Sequence, residues 1–434
     1  MGDGSAGVMW FAASGFRVLA IDDSETDVVV SVETIAGRVG CLECGVIARA
    51  KDRRWVTLRD VPCGQRPVTV RWRKRIWWCP EALCEVNTWT EQRPGFAGPR
   101  RVLTDRVGSW ATDRIAAIEA TPASLARQLG VRWSTVWTAV ARHGRERVDA
   151  MDRSSCREVG FDETVMSPAK RHRRRRFITS AVDVSDGRIM DVFDGRNAAD
   201  LHGWLDEQPD AWVQAITVVS VDPHEGYRSA LTRHALLANV VVVVDGFHIV
   251  RLAGQAVTKC RQRVQQAELA RRGWKGDPLY AIRKLLLIGA ERLDENGWER
   301  LHQALRDGDP DGLVADAWVA KEYVRDIYLT NDVGAATVAL ERAIEWCTDP
   351  SSGPELATLA KTLTRWRVEI LAHHTTGVSN GRVEAANLTI KQVKRSGRGF
   401  RNLTNYRLRI LLTNSTHRQT HPATRHRARP SFVA

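Results

Sequence analysis

The chain lacks any run of eighteen apolar residues across its 434 positions, so a membrane-spanning helix is not expected. Its N-terminal apolar stretch, Val8 to Ile21, is interrupted by Gly15 and Arg17 and has an acidic rather than basic flank, so that stretch is not expected to be a signal peptide. A cytoplasmic, nucleoid-associated location is therefore expected, and in that reducing setting the eight cysteines are not expected to form disulfides. Acidic residues are also in deficit. Asp plus Glu number 51 against 64 Lys plus Arg, a formal charge of +13 that favours a polyanionic partner and gives no reason to expect a membrane. With 43% hydrophobic residues the chain can build two or three cores, which excludes a disordered tail.

What is present is patterned. Basic residues cluster at Arg171 to Arg176, at Lys394 to Arg401 and in HRQTHPATRHRARP near the C-terminus. One such run is commonly a solvated face; three in one chain favour nucleic acid. Four cysteines form two pairs, Cys41 with Cys44 and Cys79 with Cys84, separated by the strand-like VTVRWRKRIWWC. Two such pairs can present four thiolates tetrahedrally to one Zn2+, so a zinc ribbon is expected, with ordinary thiols as the alternative. Cys63, Cys156, Cys260 and Cys347 read as packing residues.

From Thr121 the grammar changes. Thr121 suits a helix cap, Pro122 its first turn and Gly130 the left-handed turn that ends it, with a second helix from Trp133 to about His143. Small Ala126, turn Gly130 and apolar Val136 have the spacing of a helix-turn-helix, although two helices with a tight turn also occur in proteins that never touch DNA. In the DNA-binding reading Arg132, Ser134, Thr135, Thr138 and Arg142 face the major groove, and Lys391, Lys394, Arg395 and Arg398 add further DNA contacts.

From Arg157 the pattern is α/β. Strands are expected at 159–163, 176–184 and 188–193, then a helix at 198–207, a strand at 216–221, a helix at 227–238 and a strand at 240–244. That order matches an RNase H-like topology. Three of the strands end in acids: Asp162, Asp222 and Asp245. Open sheets of this kind bind ligands at the carboxyl ends of their strands. Residues 251–374 are helical in period and rich in tryptophan, with breaks at Gly308–Gly312 and Asp349–Pro354, and read as an inserted helical domain. A helix restarts near Gly381. Glu384, Asn387, Lys391 and Lys394 share its polar stripe, where Glu384 can serve chemistry or simply the helix dipole.

The order of the two Cys pairs, the helix-turn-helix, GFDET, VSVDPHEGYRSA, VVDGFHIVRL and SNGRVEAANLTIKQVKRSGRGFRN resembles the ISL-three group of bacterial insertion-sequence transposases, over about Cys41 to Asn402. The resemblance implies a multi-domain α+β protein: a zinc ribbon within residues 1–95, a helix-turn-helix in 96–150, and an RNase H-like mixed α/β catalytic domain in 151–250. The helical insertion at 251–374, the last catalytic helices at 375–415 and a basic tail at 416–434 complete the expected layout. It implies a DDE triad of Asp162, Asp222 and Glu384 holding Mg2+ or Mn2+, with Asp245 and His248 similar to a D-x-x-H signature. For His248 a purely structural role stays open. The implied partner is double-stranded DNA, terminal inverted repeats and target alike, bound by at least a homodimer. Proline after Asp222, nearby His224 and the dense RHRRRR run depart from the family's usual form. The alternatives are a non-catalytic DNA-binding regulator or inactive copy, and a structure-selective nuclease or resolvase.

Overall fold

The computed structural model describes residues 15–35, 37–169, 171 and 174–420, with side chains described as far as residue 413. The basic run at 171–176 is thus covered only in part, and most of the basic tail lies outside the described residues. Two compact units emerge: residues up to 151 together with those from 392 onward, and residues 152–391.

The first unit opens with strands β1 (Phe16–Asp23), β2 (Val28–Thr34), β3 (Arg49–Cys63), β4 (Arg66–Trp78) and β5 (Thr88–Thr90). They form one mixed sheet in the order β1-β2-β4-β3, with β5 on β4. The period-two alternation of VVVSV explains its register. Val28, Val30 and Val32 pair with Val68, Val70 and Trp72 on β4, and all six are buried. Gly64, at φ +64°, makes the turn between the long β3 and β4, a backbone shape that L side chains resist. Helices α1 (Asp105–Ala116), α2 (Pro122–Leu129) and α3 (Trp133–Asp149) follow. Thr121 caps α2 through a capping box with Ser124, and Gly130, at φ +64°, closes it in the left-handed region. Buried Leu125, Ala126, Leu129, Val136 and Val140 seat α2 on α3. The C-terminal helix, Leu403–Thr420, packs on α1 and α3.

The second unit contains β6 (Glu158–Ser167), β7 (Arg176–Asp183), β8 (Ile189–Asp194), α4 (Ala198–Asp206), β9 (Val218–Val221), α5 (Glu225–Arg233) and β10 (Val241–Val244). Its sheet runs β10-β9-β6-β7-β8. The first three sequential strands pair antiparallel, whereas β9 and β10 run parallel to β6. Phe161, Trp204, Trp212, Val219, Val221 and Tyr227 belong to one buried cluster of this sheet and its helices. From β10 the chain passes directly into α6 (Gly246–Leu269), then α7 (Glu295–Gly308), α8 (Leu313–Asp326), α9 (Val333–Thr348), α10 (Pro354–Arg365), α11 (Arg367–Thr376) and α12 (Gly381–Ser396). The GDPDG and DPSSGP segments fall in the breaks between these helices, where glycine and proline disfavour helix continuation.

Three differences from the sequence reading matter. Asp162 does not end its strand; β6 continues to Ser167, because its pairing with β7 outlasts its pairing with β9. The helices from Gly246 to Thr376 share a compact unit with the sheet, and Val244 joins their core beside Ile249, Val257, Leu340 and Ile370. The segment expected at 375–415 divides between the units after Lys391, since the helix Leu403–Thr420 packs on α1 and α3.

Gly160 on β6 shows how closely α12 is seated. A Cβ there would lie 2.3 Å from Val383 Cγ2 and 3.1 Å from Val184 Cγ2, both on stiff β-branched side chains. Gly160→Ala is expected to cost about 1–3 kcal/mol through overpacking. Thermal melting checks this: a fall of several degrees is expected, and an unchanged midpoint would contradict the close seating of α12.

Candidate active site and metal-ligand clusters

Register brings the acids together. Phe161 on β6 pairs with Val221 on β9, and Val221 pairs with Val244 on β10. The residues immediately after these three are Asp162, Asp222 and Asp245, so they stand level across adjacent parallel strands about 4.8 Å apart. Asp245 then caps α6, accepting from the Phe247 amide at 3.3 Å. One turn on, His248 Nδ1 lies 2.5 Å from Asp245 Oδ2 and 3.1 Å from Asp222 Oδ1. Ligand atoms of Asp222, Asp245 and His248 all fall within 4.8 Å of one another.

Crowding sets the electrostatics. Burial, then the negative charge of Asp162, pushes the Asp222 carboxyl up to about 7, against a partial offset from His248. Burial likewise raises Asp162, opposed by the Glu163 amide and the charges of His248 and Lys391. Burial works against the charged form of His248, yet its bond to Asp245 and the charges of Asp222 and Asp245 outweigh it, so its pKa is raised. Asp222 Oδ1 is buried and, although His248 Nδ1 lies 3.1 Å away, accepts no well-aligned hydrogen bond. Oxygen donors crowded at raised pKa, one of them unsatisfied, suit a hard divalent cation, which would relieve both the repulsion and the missing contact.

Glu384 and Asn387 lie one turn apart on α12. Buried Asn387 donates to Asp162 Oδ2 and accepts from Thr164 Oγ1 at 3.1 Å and Ser180 Oγ at 3.4 Å. Lys391, a further turn along, acts on Asp162 through its charge. The polar stripe of α12 therefore faces Asp162. Half-buried Glu384 occupies that stripe but is not part of the Asp222–Asp245–His248 cluster.

The four cysteines of the two N-terminal pairs also converge. Sγ atoms of Cys41 and Cys84 are 3.7 Å apart, those of Cys44 and Cys79 are 3.5 Å apart, and all four lie within 4.8 Å. Backbone N–H groups of Glu43 and Cys44 draw Cys41 down to about 6, as expected at a turn that presents amides to a thiolate. Four thiols with amide donors fit a closed tetrahedral site. Cys63 is not part of this cluster, while Cys156, Cys260 and Cys347 are buried, consistent with packing roles.

On α3, Arg132, Ser134 and Thr138 are exposed and Thr135 is partly so. Arg142 is engaged differently from expectation: it ion-pairs with Asp105 on α1 at 2.5 Å. Lys391, Arg395 and Arg398 are exposed, and Lys394 is half-buried.

Several residues of the site were missed as such from sequence. Asn387 was assigned only to a polar stripe. Asn380, buried just before α12, accepts from Ser220 Oγ at 3.0 Å. Tyr328 sits against Gly246, where a Cβ would be 2.6 Å from its ring; burial, then the charge of Asp245, raises its phenol. An asparagine beside a candidate acid was the available signal for Asn380 and Asn387. Nothing in the sequence pointed to Tyr328.

The transposase family of the ISL3 type matches residues 159–410, and the chain belongs to that family. The protein is thus an insertion-sequence transposase by class, a DNA-processing enzyme whose family implies divalent metal use. It is similar to the transposase for insertion sequence element IS1557 of Mycobacterium tuberculosis, in strains CDC 1551 / Oshkosh and ATCC 25618 / H37Rv. Each is 25% identical over 417 residues, covering 87% of this chain and 90% of the relative.

The raised Asp222 pKa carries a sign. Its folded-state penalty is absent below about 3.8, grows between 3.8 and about 7, and is full above that. Asp222→Asn is therefore expected to stabilise the metal-free protein at pH 8 by on the order of 2–4 kcal/mol, with the difference vanishing near pH 4. Denaturant unfolding of both proteins across that range checks it; a stability difference independent of pH would contradict the assignment.

Proposed function

We propose that this transposase binds the ends of an insertion sequence and catalyses DNA cleavage and strand transfer, with Asp162, Asp222 and Glu384 as its metal-binding carboxylates. The observation that carries the reading is the level alignment of Asp162, Asp222 and Asp245 beneath the polar stripe of α12. The strand order β10-β9-β6-β7-β8, with β6 to β8 antiparallel and the outer two parallel, supports an RNase H-like catalytic domain. In the first step water attacks the phosphodiester at the element end, and the 3′ oxygen leaves as a hydroxyl. That 3′-OH then attacks a target phosphodiester, whose own 3′ oxygen leaves.

Magnesium or manganese, when bound, supplies charge neutralisation at the phosphate and activation of the attacking oxygen, in the manner of two-metal sites. The chain's part is to hold oxygens in place. Asp162 and Asp222 present theirs from paired strands, while Asn387 fixes the orientation of Asp162. Asp245 adds a fourth carboxylate, which His248 orients through its Nδ1–H. Glu384 approaches from α12, and Lys391 brings a cation to the same side for the DNA backbone. Its charge-neutralising role resembles that of a transition-state clamp.

End recognition is assigned to α2 and α3, with Arg132, Ser134, Thr135 and Thr138 toward the major groove. Arg142 is withdrawn from that set, because its guanidinium holds α3 to α1. Lys394, Arg395 and Arg398 contribute phosphate contacts. Cys41, Cys44, Cys79 and Cys84 hold one structural Zn2+. The acting species on paired ends is at least a dimer.

Metal analysis of purified protein is expected to find about one zinc per chain, lost in Cys79→Ser together with much of the stability of the N-terminal sheet. Equal zinc in both proteins would overturn the ligand assignment. For the chemistry, labelled DNA from the gene's own flanks is incubated with Mg2+ or Mn2+. Nicked and joined products are expected from wild type and reduced by at least about 10²-fold in Asp222→Asn. End binding without cleavage by either protein would instead indicate a regulator or an inactive copy.

A further inference from the structure

In the unit formed by residues up to 151 and from 392 onward, a cavity of about 510 Å3 opens between the start of α2, one face of α3 and the segment Ser396–Arg409. Its size lies within the usual range of ligand pockets. Trp133 and Trp137 line it four residues apart on α3, and so lie one above the other along the helix. Trp133 is 60% exposed, a large apolar surface left open at the mouth of a cationic cavity.

A third ring is held by the loop. Phe400 stacks on buried Tyr406 with centroids 4.5 Å apart and planes 19° from parallel. Gly397 makes room for it, since a Cβ there would be 2.6 Å from the ring. Arg398 and Gly399 are both in the left-handed region, at φ +53° and +90°, so this is a specifically bent backbone.

The charge is of one sign. Arg127, Arg398 and Arg401 line the cavity, and no aspartate or glutamate does so among the described residues. Behind them Arg409 is 3% exposed, with Nε lacking a hydrogen bond and Ser396 Oγ 3.5 Å from Nη2. Among the described residues this guanidinium has Ser396 and the Phe400 ring, 5.9 Å from its carbon, for company but no carboxylate ion pair, so an anionic ligand would supply its missing countercharge.

Aromatic faces together with unopposed guanidiniums suit a group that is flat on one side and anionic on the other. A duplex keeps its base faces stacked and cannot offer them to a ring, whereas an unpaired nucleotide offers both base face and phosphate. We propose that this cavity binds an unpaired nucleotide of DNA, its base against the Trp133, Trp137 and Phe400 rings and its phosphate on the surrounding arginines. The inference rests on DNA as the family's partner. It does not require the carboxylates to be active, so the two readings fail separately.

The test is fluorescence anisotropy of the full-length protein with a labelled short oligothymidylate and, in parallel, with a blunt duplex from the gene's flank. Phe400→Ala and Trp133→Ala are each expected to weaken oligothymidylate binding roughly 10- to 100-fold, the scale of one lost stacking contact. Trp133→Phe should restore most of it, and duplex binding should change less than about 3-fold. Because Trp133 is mostly exposed, its truncation removes no core. Unchanged oligothymidylate affinity, or equal losses on both DNAs, would overturn the proposal. Weakened single-strand binding in the variants, where wild type itself fails to cleave its flank DNA, would uphold the pocket while sinking the transposition chemistry.

Discussion

Everything at the carboxylate cluster depends on one constraint, the parallel register of β6, β9 and β10. Parallel pairing places residues 161, 221 and 244 in a row, and the next residue on each strand is an aspartate. A slip of one residue would turn one acid to the opposite face of the sheet. The register is held by burial on both sides: Val219, Val221, Val243 and Val244 have almost no exposed surface. The price is the burial of carboxylates, which raises the pKa of Asp162 and Asp222, with the charge of Asp162 adding to the effect at Asp222. Folding energy from the apolar strands thus sustains a site that is electrostatically strained without a cation.

The second dependence is the seating of α12. Gly160 lets Val383 approach β6, Asn380 bonds Ser220, and Asn387 bonds Thr164, Ser180 and Asp162. These bonds join segments more than 150 residues apart in sequence, as in the 160-residue separation of Ser220 and Asn380. They fix the helix face that carries Glu384, which lies one turn before an asparagine bonded to Asp162. His248 acts in the same spirit at the other side, tying Asp245 to the level of Asp222.

Much of this was legible in the residues. Apolar runs ending in Asp222 and Asp245 announced strands at 218–221 and 241–244, and Thr121, Pro122 and Gly130 announced the bounds of α2. The paired cysteines announced a cluster that the fold assembles. Less was legible where one element's limits are set by another. β6 runs past Asp162 because β7 continues beside it, and Arg142 is drawn to Asp105 rather than left outward, since α1 happens to lie there. The segment expected at 375–415 is divided after Lys391, inside α12, because its last helix packs on α1 and α3.

By itself the sequence determined the elements and the chemical types: β-branched runs for buried strands, glycine and proline for breaks, thiols in pairs, carboxylates after strands, and an excess of cations for DNA. These follow from local backbone preference and from burial, which act over a few residues. Tertiary structure alone decided which acids stand level, which asparagine holds Asp162, where Tyr328 meets Gly246, and that Trp133, Phe400 and Arg409 share one cavity. Such contacts join residues far apart along the chain, and their partners are selected by packing, which no local pattern encodes.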